Sequence, residues 1–444
     1  MLTAFLNTLK VKELRNRLLF TALIIVLVRF ASNIPCPGVD PAALEKFITE
    51  VTANSSGGFM ALIDLFSGGA LAHFALGALG IMPYITASII IQLLVPVLPQ
   101  LEKMQREGET GRQKISQYTR YLSIIVCIVQ GAMVAVAMVN PSKLGLPNPS
   151  EPLFIGSKAV FIPITVLVIT CTTMVFTWLG EQITERGIGN GVSLIIFASI
   201  VSNWSSLYTS VKGLLTQAAS GKPQYYFFLP LLIVLALVAV VFVVVMTNAE
   251  RRITIQYAKR VVGRKQMGGQ NSYLPLKLNM SGVMPIIFAS ALVSIPGTIG
   301  SFLQIDQTAH PVWYAFFHTF NYTSWLYVVI YLLLILAFNY FYVAIQYNPV
   351  EIANNLRRNN GSIPGFRPGK PTSDFITRTL NKITLIGAIF LAAVAVLPII
   401  LGNLTGMSIQ LGGTSLLIVV GVALDTTRSL DSFMTMRNHK GFLG

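Results

Sequence analysis

The residues that could do covalent chemistry or hold a metal are few in this sequence, and their spacing matches no familiar site. Four histidines and three cysteines are scattered along 444 residues, outside any H-E-x-x-H motif, Walker motif or serine elbow. Gly187, Gly189 and Gly191 form G-x-G-x-G, which lacks the spacing and the preceding strand of a dinucleotide fingerprint. The cysteines are odd in number and have no paired spacing. We therefore expect no catalytic residue, metal or cofactor.

Two ionisable residues, Arg29 and Asp425, lie within long apolar stretches. A charge near the bilayer centre costs about 2.5–3.5 kcal/mol on insertion scales. Arg29 could extend to the membrane surface or contact a neighbouring helix, and the sequence leaves both open. Ion-coupled carriers need intramembrane carboxylates or other relay groups. Their scarcity favours a pathway that is gated by an apolar constriction, which excludes water and ions by dewetting.

The elements that must position any such pathway are membrane-spanning helices. The chain is 53% hydrophobic and 11% charged, against about 25% charged residues in soluble domains. Its apolar runs reach the roughly 20 residues that cross a bilayer, and their lack of alternation excludes β-barrel strands. We predict an all-α polytopic membrane protein with ten transmembrane helices. The predicted spans are 18–34, 74–98, 121–139, 159–179, 188–208, 227–246, 283–303, 325–345, 383–401 and 413–430.

Positive charge is concentrated on one side of this topology. The termini and the loops on their side carry 26 of the 32 Lys and Arg residues. Because positive charge stays cytoplasmic, both termini are predicted to be cytoplasmic. Two of these loops, 247–282 and 346–382, are long as well as basic. They suggest a docking surface for an acidic protein or for RNA phosphate, although the positive-inside rule alone accounts for their sign.

The chain divides at a polar loop near 209–226. Residues 1–210 and 226–444 then hold five spans each, so the two halves enter the membrane from opposite sides, as in an inverted repeat. Residues 59–72 are too short to cross. They form either a re-entrant helix broken at Gly68 and Gly69, or an amphipathic segment at the membrane surface.

Two predicted spans carry faces that mix apolar and small polar residues. In 74–98 the face is Ile81, Ile85, Ser88 and Gln92, and in 283–303 it is Val283, Ile287, Ser290 and Ser294. Such faces suit a helix contact that holds but can also open. Ordinary helix packing gives the same pattern.

Several longer motifs, which occur in order along the chain, resemble those of bacterial members of the SecY/Sec61 family, whose members are channel subunits of the Sec protein translocon. They are FSGGAL at 66–71, GIMPYI at 80–85, GRQKISQYTRY at 111–121, WLGEQITERGIGNG at 178–191, LPLK at 274–277, GFRPG at 365–369 and GGTSLLI at 412–418. The resemblance implies a protein-conducting channel, with the two inverted halves arranged around a central pore and a short re-entrant plug helix.

The resemblance also assigns roles to residues. A pore ring would comprise Ile81, Ile85, Ile196, Ile287 and Ile418. A plug would comprise Phe59, Leu62, Ile63, Asp64, Leu65, Phe66 and Ser67. Ser88, Gln92, Asn190 and Ser290 would lie at a lateral gate between spans 74–98 and 283–303. A motor and ribosome docking surface would comprise Arg251, Arg252, Arg260, Arg264, Lys265, Arg357 and Arg367.

The partners that the resemblance implies are the SecE and SecG subunits, the SecA ATPase, the ribosome, signal-sequence-bearing precursor proteins and membrane lipids. The location it implies is the bacterial cytoplasmic membrane. The chain would pass unfolded secretory polypeptides and release membrane segments laterally, and a partner would supply the energy because no nucleotide motif is present. The alternatives are an inverted-repeat secondary transporter of a small solute and, third, an assembly scaffold without transport.

Overall fold

The computed structural model describes residues 11–40, 43–44, 69–70, 74–140, 153–202, 212, 215, 224–257, 260–262, 265–267, 271–303, 313, 316–317, 319, 324–405 and 413–440. This part of the chain is mostly helical. Its longer helices are α1 (Lys12–Ala31), α2 (Met82–Leu94), α3 (Pro99–Arg106), α4 (Glu109–Val139), α5 (Lys158–Arg186), α6 (Gly191–Ser202), α7 (Gln224–Asn248), α8 (Met284–Leu303), α9 (Trp325–Gln346), α10 (Pro349–Arg358), α11 (Lys370–Thr405) and α12 (Gly413–Lys440).

A helix lies at each of the ten predicted spans, but not all of these helices are long and apolar enough to cross a membrane alone. Within the described residues, four meet that requirement, in Glu109–Val136, Lys158–Arg186, Trp325–Arg358 and Lys370–Leu397. A bent pair, Met82–Leu94 with Pro99–Gln105, would add a fifth. The structure therefore establishes a helical protein with several helices of membrane-spanning length, and the count of ten remains a prediction.

The predicted span 74–98 is helical only from Met82 to Leu94. Turns precede it, because Phe74 and Gly80 adopt positive φ angles of 44° and 54°. Beyond Leu94 the chain bends by 103° before α3. Pro96 and Pro99 explain this end, since proline lacks the amide hydrogen and disfavours helical backbone in the residue before it.

The outward faces of several helices are apolar. Leu167 on α5, Val241 on α7 and Leu333 on α9 are 64%, 63% and 58% exposed. Large exposed apolar surfaces on a soluble monomer are rare and mark interaction with membranes or other proteins. These exposed faces are suited to contact with bilayer lipid.

The glycine pattern of the α5–α6 connection has a packing role. Gly189 has φ +73°, and a Cβ at Gly191 would lie 1.9 Å from the carbonyl oxygen of Gly180. Only glycine allows the two helices to approach this closely. The pattern therefore shapes a tight turn rather than a nucleotide site.

A small β-sheet, which the all-α prediction did not include, joins the two long basic loops. Strand β1 (Glu250–Tyr257) pairs antiparallel with β4 (Asn271–Lys277) and with the short β5 (Gly361–Ser362), while β2 (Arg260–Val262) and β3 (Lys265–Met267) form a hairpin. Ile253 and Ile255 on β1 are buried in an apolar cluster, and their neighbours along the strand are exposed. The alternation in RRITIQY, typical of a half-buried strand, was the signal for this sheet.

Candidate functional site

The five isoleucines of the predicted pore ring belong to one buried apolar cluster. Ile81, Ile85, Ile196, Ile287 and Ile418 are between 1% and 7% exposed. Ile81 and Ile85 come from the start of α2 and Ile196 from α6, so three belong to the N-terminal half of the chain. Ile287 on α8 and Ile418 on α12 belong to the C-terminal half. The sequence prediction thus names residues that the fold brings together, and their role remains to be tested.

Local backbone geometry explains how α2 presents its two members of this set. Ile81 is the N-cap of α2, and Pro83 occupies its first turn, where the fixed φ of proline favours helix. Gly80, with φ 54°, turns the chain into the helix just before Ile81. Ile85 follows one turn later, so its side chain lies on the same face as Ile81.

Two cavities flank this set of isoleucines. The larger has a volume of about 640 Å³ and is lined by Ile85, Ile196, Ile287 and Ile418 among others. The smaller has a volume of about 10 Å³ and is lined by Ile81, Ile85 and Ile196. Because Ile85 and Ile196 line both cavities, these two side chains lie between the roomy cavity and one with space for about a single water molecule.

The larger cavity, which we call the vestibule, has one apolar and one polar wall. The polar wall includes Glu109, Gln113, Ser116, Gln117, Arg120, Glu181, Thr184, Glu185, Asn190 and Ser193. Arg120 and Glu181 join α4 to α5 by a two-point ion pair, with Nε–Oε1 at 2.8 Å and Nη2–Oε2 at 2.7 Å. The sequence analysis did not single out this pair, because its partners lie 61 residues apart.

Three of the four predicted gate residues line the vestibule. Gln92 Nε2 donates a hydrogen bond to Ser88 Oγ at 3.1 Å, both on α2. Asn190 precedes α6, and its Oδ1 accepts a hydrogen bond from the Ser193 amide at 3.3 Å, which is an N-cap interaction. The fourth, Ser290, is buried and is not among the residues that line the vestibule. Its hydroxyl donates to the Ile287 carbonyl of its own helix.

Arg29 contacts a neighbouring helix, which selects one of the two alternatives left open by the sequence. Its Nη2 donates a hydrogen bond to Ser199 Oγ on α6 at 2.6 Å. Both residues line the smaller cavity, beside Ile81 and Ile196. Nothing in the spacing of Arg29 and Ser199, which are 170 positions apart, could have identified this contact.

Those members of the predicted docking surface whose side chains the structure describes are exposed. Arg251 and Arg252 lie on β1 and Arg357 at the end of α10. For Arg260 on β2 and Lys265 on β3 the structure describes the backbone alone. Arg264 and all seven predicted plug residues lie outside the described residues.

Arg367 is exposed at the tip of the loop between β5 and α11. Gly365 and Gly369 on either side of it have φ angles of +85° and +112°. The Thr372 hydroxyl donates to the Arg367 carbonyl at 2.8 Å, and the rings of Phe366 and Phe375 lie 4.3 Å apart. The tip is therefore shaped by its backbone and by the aromatic contact, and the Arg367 side chain is left to face solvent.

Among the described residues, no group of three or more His, Cys, Asp or Glu side chains could hold a metal ion. The described residues offer a buried apolar cluster, a vestibule with a polar wall, and an exposed basic surface on joined loops.

Comparisons with known proteins agree along nearly the whole chain. The profile of a family described as SecY matches residues 75–427. The protein translocase subunit SecY of Streptomyces galbus is 40% identical over 100% of both chains, and that of Thermotoga maritima is 39% identical over 99% of this chain and 97% of its own.

Solved structures show the same fold. A structure described as a protein conducting channel is similar with a TM-score of 0.62, at 20% identity over 93% of this chain and 91% of that chain. Sec61 in a canine ribosome-channel complex from the endoplasmic reticulum has a TM-score of 0.59, at 18% identity and the same coverage.

Proposed function

The chain belongs to the SecY family, and we propose that it is a protein-conducting channel whose pore closes at the five buried isoleucines. It passes unfolded secretory polypeptides across the bacterial cytoplasmic membrane and releases membrane segments sideways into the lipid. The comparisons with translocase subunits support this function, and they give the solute-transporter alternative no support.

The observation that carries the proposal is the buried apolar cluster beside two cavities, in which the five isoleucines come from both halves of the chain. Water wets a narrow apolar constriction poorly, so ions do not cross it. An apolar ring also holds no fixed hydrogen-bond partner for a passing polypeptide, whose sequence varies along its length. The ring can therefore seal the idle channel without selecting among clients.

The lateral gate lies between α2 and α8 in this proposal. The vestibule is lined from α2 by Tyr84, Ile85, Ser88 and Gln92, and from the start of α8 and the residue before it by Val283, Met284, Ile287 and Phe288. In the proposed ten-span topology α2 and α8 are the second and seventh spans, so they cross the membrane in opposite directions. Ser290 follows Ile287, so its place is at the other side of the ring, where it would line the gate at a different depth from Ser88.

The membrane topology of the proposal has ten spans in two inverted halves, 1–210 and 226–444, with both termini cytoplasmic and 59–72 as the plug. The charge asymmetry and the ten helices at the expected positions support it. The vestibule then opens to the cytoplasm, because α8 begins at the cytoplasmic loop 247–282.

The joined basic loops are the proposed docking surface for the ribosome and the SecA ATPase, and SecE and SecG are the proposed partner subunits. The sheet supports this role, because β1 and β5 hold the two loops as one unit. Each fully buried isoleucine of its core contributes about 1.5–3 kcal/mol, which keeps the platform folded outside the lipid. One of the similar structures is itself described as an idle yeast Ssh1 complex bound to the 80S ribosome.

Transport in reconstituted vesicles tests the proposed function. Vesicles that contain the chain, its partner subunits and the motor should take up a signal-sequence-bearing precursor when ATP is supplied. Protection of the precursor from added protease is the measurement, and a precursor without its signal sequence is the control. Saturable uptake of a small solute without any protected precursor would favour the transporter and contradict the proposal.

A further inference from the structure

Arg29 starts a chain of hydrogen bonds that ends next to the pore ring. It lies in the last turn of α1, and its guanidinium donates to Ser199 on α6 at 2.6 Å. Ser199 is only 2% exposed, and its hydroxyl donates to the Ile195 carbonyl at 2.9 Å. The chain therefore runs from α1 to the residue that precedes the ring residue Ile196.

The surroundings leave Arg29 little room to move independently of the ring. The cavity that it shares with Ile81, Ile85, Ile196 and Ser199 has a volume of only about 10 Å³. Ser199 lies three residues after Ile196 and so on the same face of α6. A shift of α6 away from α1 would break the hydrogen bond and move Ile196 at the same time.

We propose that Arg29 is a positioning residue for the constriction: its hydrogen bond to Ser199 holds α6 against α1 and keeps Ile196 in the ring while the channel is idle. Charge-assisted hydrogen bonds are stronger than neutral ones, and more so away from water. A charged residue within a membrane-spanning segment is also costly, so its presence there is by default a sign of function. The inference rests on the proposed channel function and adds a determinant of its seal.

Ion leak through the idle channel is the test, measured in vesicles that carry Arg29→Gln, Ser199→Ala or both. Each single substitution should raise the leak about tenfold, which corresponds to about 1.4 kcal/mol. The double variant should leak no more than the leakier single variant, because the two residues act through one contact.

Matched controls separate this role from general damage. Arg15→Gln removes an exposed arginine from the same helix, and Thr177→Val removes a buried hydroxyl that bonds only its own helix. Both should leave the leak unchanged. Ser199→Thr keeps a hydroxyl, so its ion leak should stay low. The melting temperature of Ser199→Ala should stay close to that of the unsubstituted chain.

Two results would overturn the inference: an unchanged leak in Arg29→Gln with precursor uptake intact, or leaks in the single variants that multiply in the double variant. If Arg29→Gln fails to assemble, the ion leak of Ser199→Ala becomes the deciding measurement. A leak in Ser199→Ala no higher than that of the unsubstituted chain would then overturn the inference. Failure of the unsubstituted chain to take up precursor would instead contradict the channel function itself, so the two failures are distinguishable.

Discussion

Joining Ser88→Cys on α2 to Met284→Cys on α8 with a short bifunctional thiol reagent should stop precursor export almost completely. Both residues line the vestibule next to the ring, one from each of the proposed gate helices. A covalent link between them prevents the helices from parting, and a signal sequence must part them to enter the lipid. Export into vesicles, measured before and after the reagent, gives the effect.

The background for this experiment is set by the native cysteines. Cys36 and Cys127 are buried and Cys171 is exposed, so the pair is placed in a Cys171→Ser chain. Each single cysteine, treated with the same reagent, should export normally. Full export from a fully cross-linked double variant would show that the gate lies elsewhere.

Arg367→Glu should reduce SecA-driven export about tenfold or more and affect the insertion of membrane proteins much less. A hydrogen bond to a charged group contributes about 1.5–3 kcal/mol, and about 1.4 kcal/mol is a tenfold change in binding. Reversing the charge at the exposed tip removes such contacts and adds repulsion. Because the turn is shaped by glycines and the Phe366–Phe375 contact, the loop should keep its fold. Initial export rates at limiting SecA are the measurement.

Lys114→Glu is the charge-matched control. Lys114 is exposed on α4, away from the joined loops and absent from the vestibule lining, so its reversal should leave export unchanged. Equal losses in the two variants would show that overall charge matters and that the Arg367 tip does not. An unchanged SecA-driven rate in Arg367→Glu would remove this arginine from the docking surface.

The sequence predicted most where long apolar runs or long motifs carry the signal. Helices lie at all ten predicted spans because hydrophobic length is a strong and local signal. The ring residues could be named from motifs, and the structure places all five in one cluster. Their convergence could not be derived from spacing, because Ile81 and Ile418 join one buried cluster only through the packing of distant helices.

Other features were missed for physical reasons. The helix in 74–98 is shorter than its apolar run, since hydropathy does not register the backbone effects of Gly80 and Pro96. The sheet that joins the basic loops depends on pairing between β1 and β5, which are about a hundred residues apart. The Arg29–Ser199 contact is likewise long-range. Apolar content locates helices, but polar contacts between helices depend on the tertiary arrangement.

The central claim is that a polypeptide passes through the isoleucine ring, and site-specific photo-cross-linking tests it most directly. A photoreactive residue replaces Ile81, Ile287 or Ile418 in turn, or Leu333, which is exposed on the outer face of α9. A precursor that is arrested partway through the channel should then cross-link from each ring position and not from Leu333. A protease-protected, arrested precursor that cross-links from none of the three ring positions would contradict the account.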